Sequence, residues 1–183
     1  MNRLLIALPT LLLTLSVGAQ QKLVPAQSEI TFVAKQMGVP LDGKFSKFDA
    51  QLSLNPKKLE SGKVHFSVDL GSVFVGDAET VKELKKTEWF NTPKFPTAVF
   101  TSTAIKSLGA GKLEVLGTLN IKGSVRPLTV PVVLTQAGTG VTLVQGSFVL
   151  KRIDFKIGDG DWADVSIVAN DVTVMLRLAV TGL

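Results

Sequence analysis

The chain has 183 residues, with 20 Lys and Arg against 15 Asp and Glu, one His and no Cys, for a formal net charge of +5. The length is that of one domain with room for a large core. The missing cysteines exclude disulfides and thiolate metal sites, the single histidine excludes a multi-histidine metal site, and the mild, scattered basic charge gives no nucleic-acid footprint.

Residues 1–19 read as a secretory signal peptide. Asn2 and Arg3 form a short basic start, Leu4 to Val17 an apolar run, and Val17-Gly18-Ala19 a small-residue cleavage site before Gln20. The run is too short and wrongly flanked for a spanning helix. The expected product is one domain over 20–183, periplasmic or secreted after cleavage near Ala19. At most it makes transient contact with an anionic membrane surface.

Lys22 to Ala26 reads as a short opening strand, broken at Gln27-Ser28. From Glu29 to Lys35 the pattern alternates, with Ile30, Phe32 and Ala34 on one face. Met37 to Pro40 reads as a turn, and Leu41 to Leu54 as a second long run in which Gly43 marks a bulge or sharp curvature. Lys63 to Val75 alternates again, with Val64, Phe66, Val68 and Leu70 on one face.

The stretch Gly76 to Ser102 breaks this pattern. Asp77 is a good N-cap, and Ala78, Val81 and Leu84 make a narrow apolar stripe, so a helix is expected here. Glu79 and Glu83 alternate with lysines on what reads as a solvated face. Trp89 and Phe90 follow, and Pro93 and Pro96 stop the helix. Further strands are expected over Thr97–Leu108, Lys112–Ile121, Val125–Gln136, Gly140–Ile153 and Asp164–Val180. Val130-Pro131 argues that the third of these is an edge or is bulged there.

The sum is an all-β chain of about eight antiparallel strands with one short helix covering an end, a count that closes into a barrel just wide enough for one ligand. Ten phenylalanines and no tyrosine suit a dry interior. A packed sandwich core with no cavity fits the same pattern.

Few residues carry reactive chemistry. His65 lies on the polar face of its strand, and no nucleophile-elbow pattern surrounds a serine. Asp159, Asp161 and Asp164 could gather calcium, but the spacing does not match an EF-hand, and a turn explains them better. Arg152 and Asp154 read as a pair that fixes the last hairpin, with contact to a polar ligand head as the alternative. No Walker loop or dinucleotide fingerprint is present. The sequence therefore points to a binding protein, with no catalytic residue, metal or cofactor expected.

Several motifs together resemble the YceI-like, or polyisoprenoid-binding, family of exported bacterial proteins. They are Ser28-x-Ile30-x-Phe32, Lys35-x-Met37-Gly38, Gly43-x-Phe45-x-x-Phe48, Asp77 with Glu88-Trp89-Phe90-Asn91, and Lys94-Phe95-Pro96. Phe100-x-Ser102-Thr103, Gly117-x-Leu119-x-Ile121-x-Gly123 with Arg126-Pro127, and Arg152-x-Asp154-Phe155 follow in order. The chain departs from the family pattern at Gln27, Gln36 and Gly76, where histidine, histidine and arginine are common.

The resemblance implies a lipocalin-like barrel whose pore takes a long isoprenoid lipid, quinone-like or polyprenyl. The expected lining is Phe32, Phe45, Phe48, Phe66, Phe100 and Phe148 on strands, with Trp89, Phe90 and Phe95 near a mouth and Trp162 as a second aromatic gate. The expected partner is thus a hydrophobic small molecule, with a homodimer also allowed. The alternatives are a fatty acid or fatty amide carrier, a non-binding structural β-protein, and a hydrolase built on the aspartates.

Overall fold

The structure is a computed structural model that describes residues 21–183 apart from residue 56. The signal-peptide reading lies outside the described residues. Among the described residues, eleven strands form one antiparallel sheet. They are β1 (Lys22–Leu23), β2 (Glu29–Gln36), β3 (Val39–Phe45), β4 (Phe48–Ser53), β5 (Lys63–Asp69) and β6 (Val73–Phe74), followed by the helix α1 (Ala78–Leu84). Then come β7 (Thr97–Gly109), β8 (Lys112–Ile121), β9 (Ser124–Gln136), β10 (Val141–Lys151) and β11 (Asp171–Thr181). The order across the sheet is β4-β5-β7-β8-β9-β10-β11-β2-β3-β6, with β1 added on β11.

The count exceeds the expected eight for two reasons. Strands β1 and β6 are only two residues long, and the run expected over Leu41–Leu54 divides into β3 and β4 at Ser46-Lys47. That division links the two ends of the curled sheet. Strand β3 pairs with β2 at one end of the sheet, and β4 pairs with β5 at the other, so one bent segment joins both ends. The Ser46 N–H donates to Ser72 O at 3.3 Å and the Asp69 N–H donates to Lys47 O at 2.9 Å, stitching the seam.

Other expected strands end early where the chain must turn. Lys63–Val75 is interrupted by a 3-10 turn over Leu70–Ser72, and Lys22–Ala26 gives way to one over Pro25–Gln27. The turn expected over Met37–Pro40 is confined to Met37 and Gly38, which take positive φ, and pairing resumes at Val39. The expected last strand starts only at Asp171, because the preceding residues fold as turns beneath α1 and its loop. Pro131 lies in an interior strand, yet β10 pairs with β9 only over Val132–Gln136. The first half of β9 is therefore an edge on its β10 side, which suits its two prolines, Pro127 and Pro131.

Period-2 alternation puts Val64, Phe66 and Val68 of β5 and Leu128, Val130, Val132 and Leu134 of β9 inside. A bulge between Ser102 and Ala104 shifts the inward set of β7 from Ala98 and Phe100 to Ile105. Two inward positions are glycine because a ring occupies the space. A Cβ on Gly43 would overlap the ring of Phe32, and one on Gly117 would overlap Phe100 and the Thr101 carbonyl oxygen.

The helix forms as the sequence expects. The Asp77 carboxylate accepts from the backbone N–H of Glu79 and Thr80 and from the Thr80 hydroxyl. These bonds, led by that of the Thr80 side chain, hold its pKa below the ordinary value. The helix buries Leu84, and Trp89 and Phe90 follow it into the core.

The segment joining β10 to β11 is held by Arg152, which is 1 % exposed. Its Nε donates to Ala169 O at 3.1 Å, Nη1 to Ile157 O at 2.9 Å and Gly158 O at 3.0 Å, and Nη2 to Val168 O at 2.6 Å. No ion pair with Asp154 forms; that side chain is exposed, and the expected pair is replaced by four carbonyls. Burial pulls the Arg152 pKa below its ordinary value, while Asp159 opposes the shift. The guanidinium stays charged even so.

Two substitutions test this frame. Gly117→Ala forces a methyl into a backbone oxygen, so it should cost about 2 kcal/mol or more. Thermal unfolding should then show a fall in Tm of roughly 4–8 °C. Arg152→Met strands buried carbonyls and should cost at least about 3 kcal/mol in denaturant unfolding. Arg152→Lys should recover little of it, because one ammonium cannot span carbonyls on both sides of the segment.

Candidate functional site

Two cavities lie among the described residues inside the barrel. The first has a volume of about 190 Å³, and every lining side chain is aliphatic or phenyl. It runs from Leu23, Leu59 and Leu183 at one end to Phe45, Phe100 and Val174 farther in. The second has a volume of about 390 Å³ and lies on the α1 side. Phe45 and Val174 line both, so the two chambers meet at these side chains.

The second chamber is built from both faces of its surroundings. Strands supply Phe32, Ala34, Leu41, Leu150 and Val172. The helix supplies Glu79, Thr80, Glu83 and Leu84, and the following loop supplies Trp89 and Phe90. The Arg152-held segment supplies Ile157, Trp162 and Val168. Lys35 and Gln36 complete the wall. Polar groups are thus confined to this chamber, and the first is wholly apolar.

Aromatic rings connect the two. Phe32 and Phe45 have centroids 5.5 Å apart, and Phe45 and Phe90 lie 6.0 Å apart edge to face. Trp89 and Trp162 tilt against each other at 5.4 Å. Of the residues expected to line a pore, Phe66, Phe100 and Phe148 line the first chamber, Phe32, Trp89 and Phe90 the second, and Phe45 both.

Two of the nine are placed elsewhere. Phe48 is in neither wall: it shares the inward parity of Ala50 and Leu52 at the start of β4, but it is half-buried there and stacks on Phe66 at 6.0 Å. Phe95 is also outside both walls. Its ring lies 3.3 Å from where a Gly123 Cβ would be, with Lys94 Nζ 5.4 Å from its centroid.

Other site residues escape a reading by aromatic type. Most of the first wall is Leu and Val, which alternation marks as inward but not as lining an empty space. Glu79 and Glu83, read as solvated, pair with Lys82 and Lys86 and also border the second chamber. The aspartate cluster is used locally. Asp164 accepts from Ser166, which lowers its pKa, and Asp159 meets Lys122 Nζ at 3.3 Å. His65 is exposed, with Nδ1 3.2 Å from the Thr101 hydroxyl.

A model of the YceI-like domain matches residues 21–180. Similar curated proteins include a UPF0312 protein of Shewanella denitrificans, 33% identical over 125 residues, which covers 66% of this chain and 65% of that protein. Another, from Vibrio vulnificus, is 32% identical over 114 residues, covering 62% and 60%. The chain thus spans a little under two thirds of the length of these curated relatives. Among solved structures, BcnA of Burkholderia cenocepacia aligns with a TM-score of 0.82 at 36% identity, covering 86% of this chain and 98% of that one. A polyisoprenoid binding domain from Saccharophagus degradans aligns with a TM-score of 0.72, covering 88% and 98%; at 17% identity that likeness is one of fold. The match over almost all of the described barrel places this chain in the YceI-like family.

Proposed function

We propose that this protein is an exported carrier or sequestering protein for a long isoprenoid lipid, held by its tail in the barrel. The observation that carries the reading is the apolar interior formed by two chambers meeting at Phe45 and Val174. A flexible hydrocarbon chain gains about 0.8 kcal/mol for each CH₂ removed from water, so a long tail needs few polar contacts. The wholly apolar first chamber suits the tail, and the polar groups of the second suit the head. The described fold of the Saccharophagus neighbour as a polyisoprenoid binding domain supports the same ligand class.

The mechanism is transfer of an intact molecule. The protein supplies a dry, shaped volume and makes or breaks no bond. Export rests on the apolar N-terminal run and its small-residue cleavage site.

Native mass spectrometry of the protein purified from its exported location, with organic extraction, tests this. A stoichiometric prenyl lipid is the expected result. A bound fatty acid or amide moves the function to that class, and a clean apo mass with no uptake of added quinone or prenol overturns the carrier reading. A filled chamber gives a second check. Ala50→Trp places an indole inside the first chamber and should weaken uptake of a long-tailed quinone by at least about tenfold, in line with the free energy of a few displaced CH₂ groups.

A further inference from the structure

Strands β9 and β10 are neighbours in the sheet, yet their ladder runs only from the pair Gln136 and Thr142 to the pair Val132 and Gly146. Beyond it they part. Residues 124–131 pair with β8 alone, and residues 147–151 with β11 alone. The slit between them borders the interior. On one side Leu128 and Val130 line the first chamber; on the other, Phe148 lines the first and Leu150 the second. Phe148 is paired with Val174, which lines both, so the slit stands level with the junction of the chambers.

A charged side chain marks how open the wall is there. Arg126 pairs with Leu119 and lies two residues from Leu128, and both leucines line the first chamber, so strand parity turns Arg126 inward. It is nonetheless exposed, lines neither chamber, and donates from Nη1 to Val125 O at 3.0 Å. Leu119 beside it is buried, so the exposure comes from the side that β10 has left. Val125 and Val149, both more than half exposed, stand on the outer faces of the two edges. Pro127 and Pro131 lack the N–H groups that would zip the edges together.

The slit is held at both of its ends. At one, Gly146 lets the strands meet closely: a Cβ there would lie 2.7 Å from Pro131 O. At the other, Lys122 crosses from the turn between β8 and β9 to the segment after β10. Its Nζ donates to Lys156 O at 2.5 Å, to Glu88 O at 3.2 Å and to the Asp159 carboxylate at 3.3 Å. Three acceptors thus meet the three N–H groups of the ammonium, and the side chain is 7 % exposed.

We infer that this slit is the side port through which the carried lipid enters and leaves, and that Lys122 is its latch; this rests on the carrier reading above. The ends of the interior are covered. Helix α1, Trp89 and the Arg152-held segment lie over one, and at the other Gln21 joins Leu54 to Gly182. A long tail entering there would have to thread past them from its tip. At the slit the edges part with no ladder bond broken, because each keeps its other neighbour. The seam at Ser46 and Asp69, by contrast, is stitched by backbone bonds. A tail admitted sideways at the junction can extend directly into the apolar chamber.

The experiment uses the delipidated exported chain, which has no cysteine of its own. Thr129→Cys with Val149→Cys puts thiols on the outer faces of the two edges, at positions that a continued register would set opposite each other. A short cross-linker with a reducible spacer bridges them. Thr101→Cys with Thr118→Cys, bridged in the same way across the paired strands β7 and β8, is the control. The probe is a benzoquinone with a farnesyl tail, read in stopped flow by its quenching of the two tryptophans, both in the second chamber. The slit bridge should slow uptake and release by at least about tenfold each and leave Kd unchanged. The control bridge should change neither rate, and reduction of the slit bridge should restore both. Lys122→Met should speed uptake and release by about three- to tenfold at the same Kd.

Unchanged rates in the slit-bridged protein, or equal slowing by the two bridges, overturn the port. Unchanged or slower exchange in Lys122→Met overturns the latch. Binding of no probe by wild type overturns the carrier reading itself, and this inference with it. Should the cysteine pair fold poorly, the Lys122→Met rates decide: faster exchange supports the port and unchanged exchange overturns it.

Discussion

A guanidinium with no acid partner organises the closed end of this barrel. Arg152 gathers the carbonyls of Ile157, Gly158, Val168 and Ala169, which are the places where an irregular segment would otherwise bury unsatisfied oxygens. An acid at this point could bind the arginine but could not also fix the segment. The carbonyls do both. With the segment fixed, Ile157, Trp162 and Val168 stand against Trp89, Phe90 and Leu84, and a chamber exists between them.

The remainder of the interior follows from sheet geometry. Alternation delivers aliphatic side chains from most strands to a common axis, and the bend at Ser46-Lys47 lets one segment run from one end of the curled sheet to the other. The first half of β9, where β10 departs, is a free edge guarded by Pro127 and Pro131. Inward glycines at positions 43 and 117 let phenyl rings lie across the strands. The ring of Phe45, between those of Phe32 and Phe90, marks the junction of an apolar chamber with one that carries polar groups. That asymmetry gives a bound amphiphile a direction: tail toward Leu23 and Leu183, head toward α1.

The fold was legible because its signals are local. Period-2 alternation in β5 and β9, the Asp77 cap and the Pro93 and Pro96 stop each act within a few residues, so a barrel with one capping helix could be read from the chain. Seven of the nine aromatic residues expected at the pore line it: strand parity turns Phe32, Phe45, Phe66, Phe100 and Phe148 inward, and the loop after α1 packs Trp89 and Phe90 there. Phe95 does not, because it sits in the loop before β7, and Phe48 does not, although it shares the parity of Ala50 and Leu52 in β4.

The strand-rich architecture, the helix and the apolar character of the inside are thus written along the chain, since they depend on neighbouring residues. The division into two chambers, the exchange of an Arg152–Asp154 pair for four carbonyls, and an unpartnered Trp89 nitrogen arise only on folding. Each depends on how segments pack in space. Whether a buried donor finds an acceptor is a property of that packing, and no spacing along the chain encodes it.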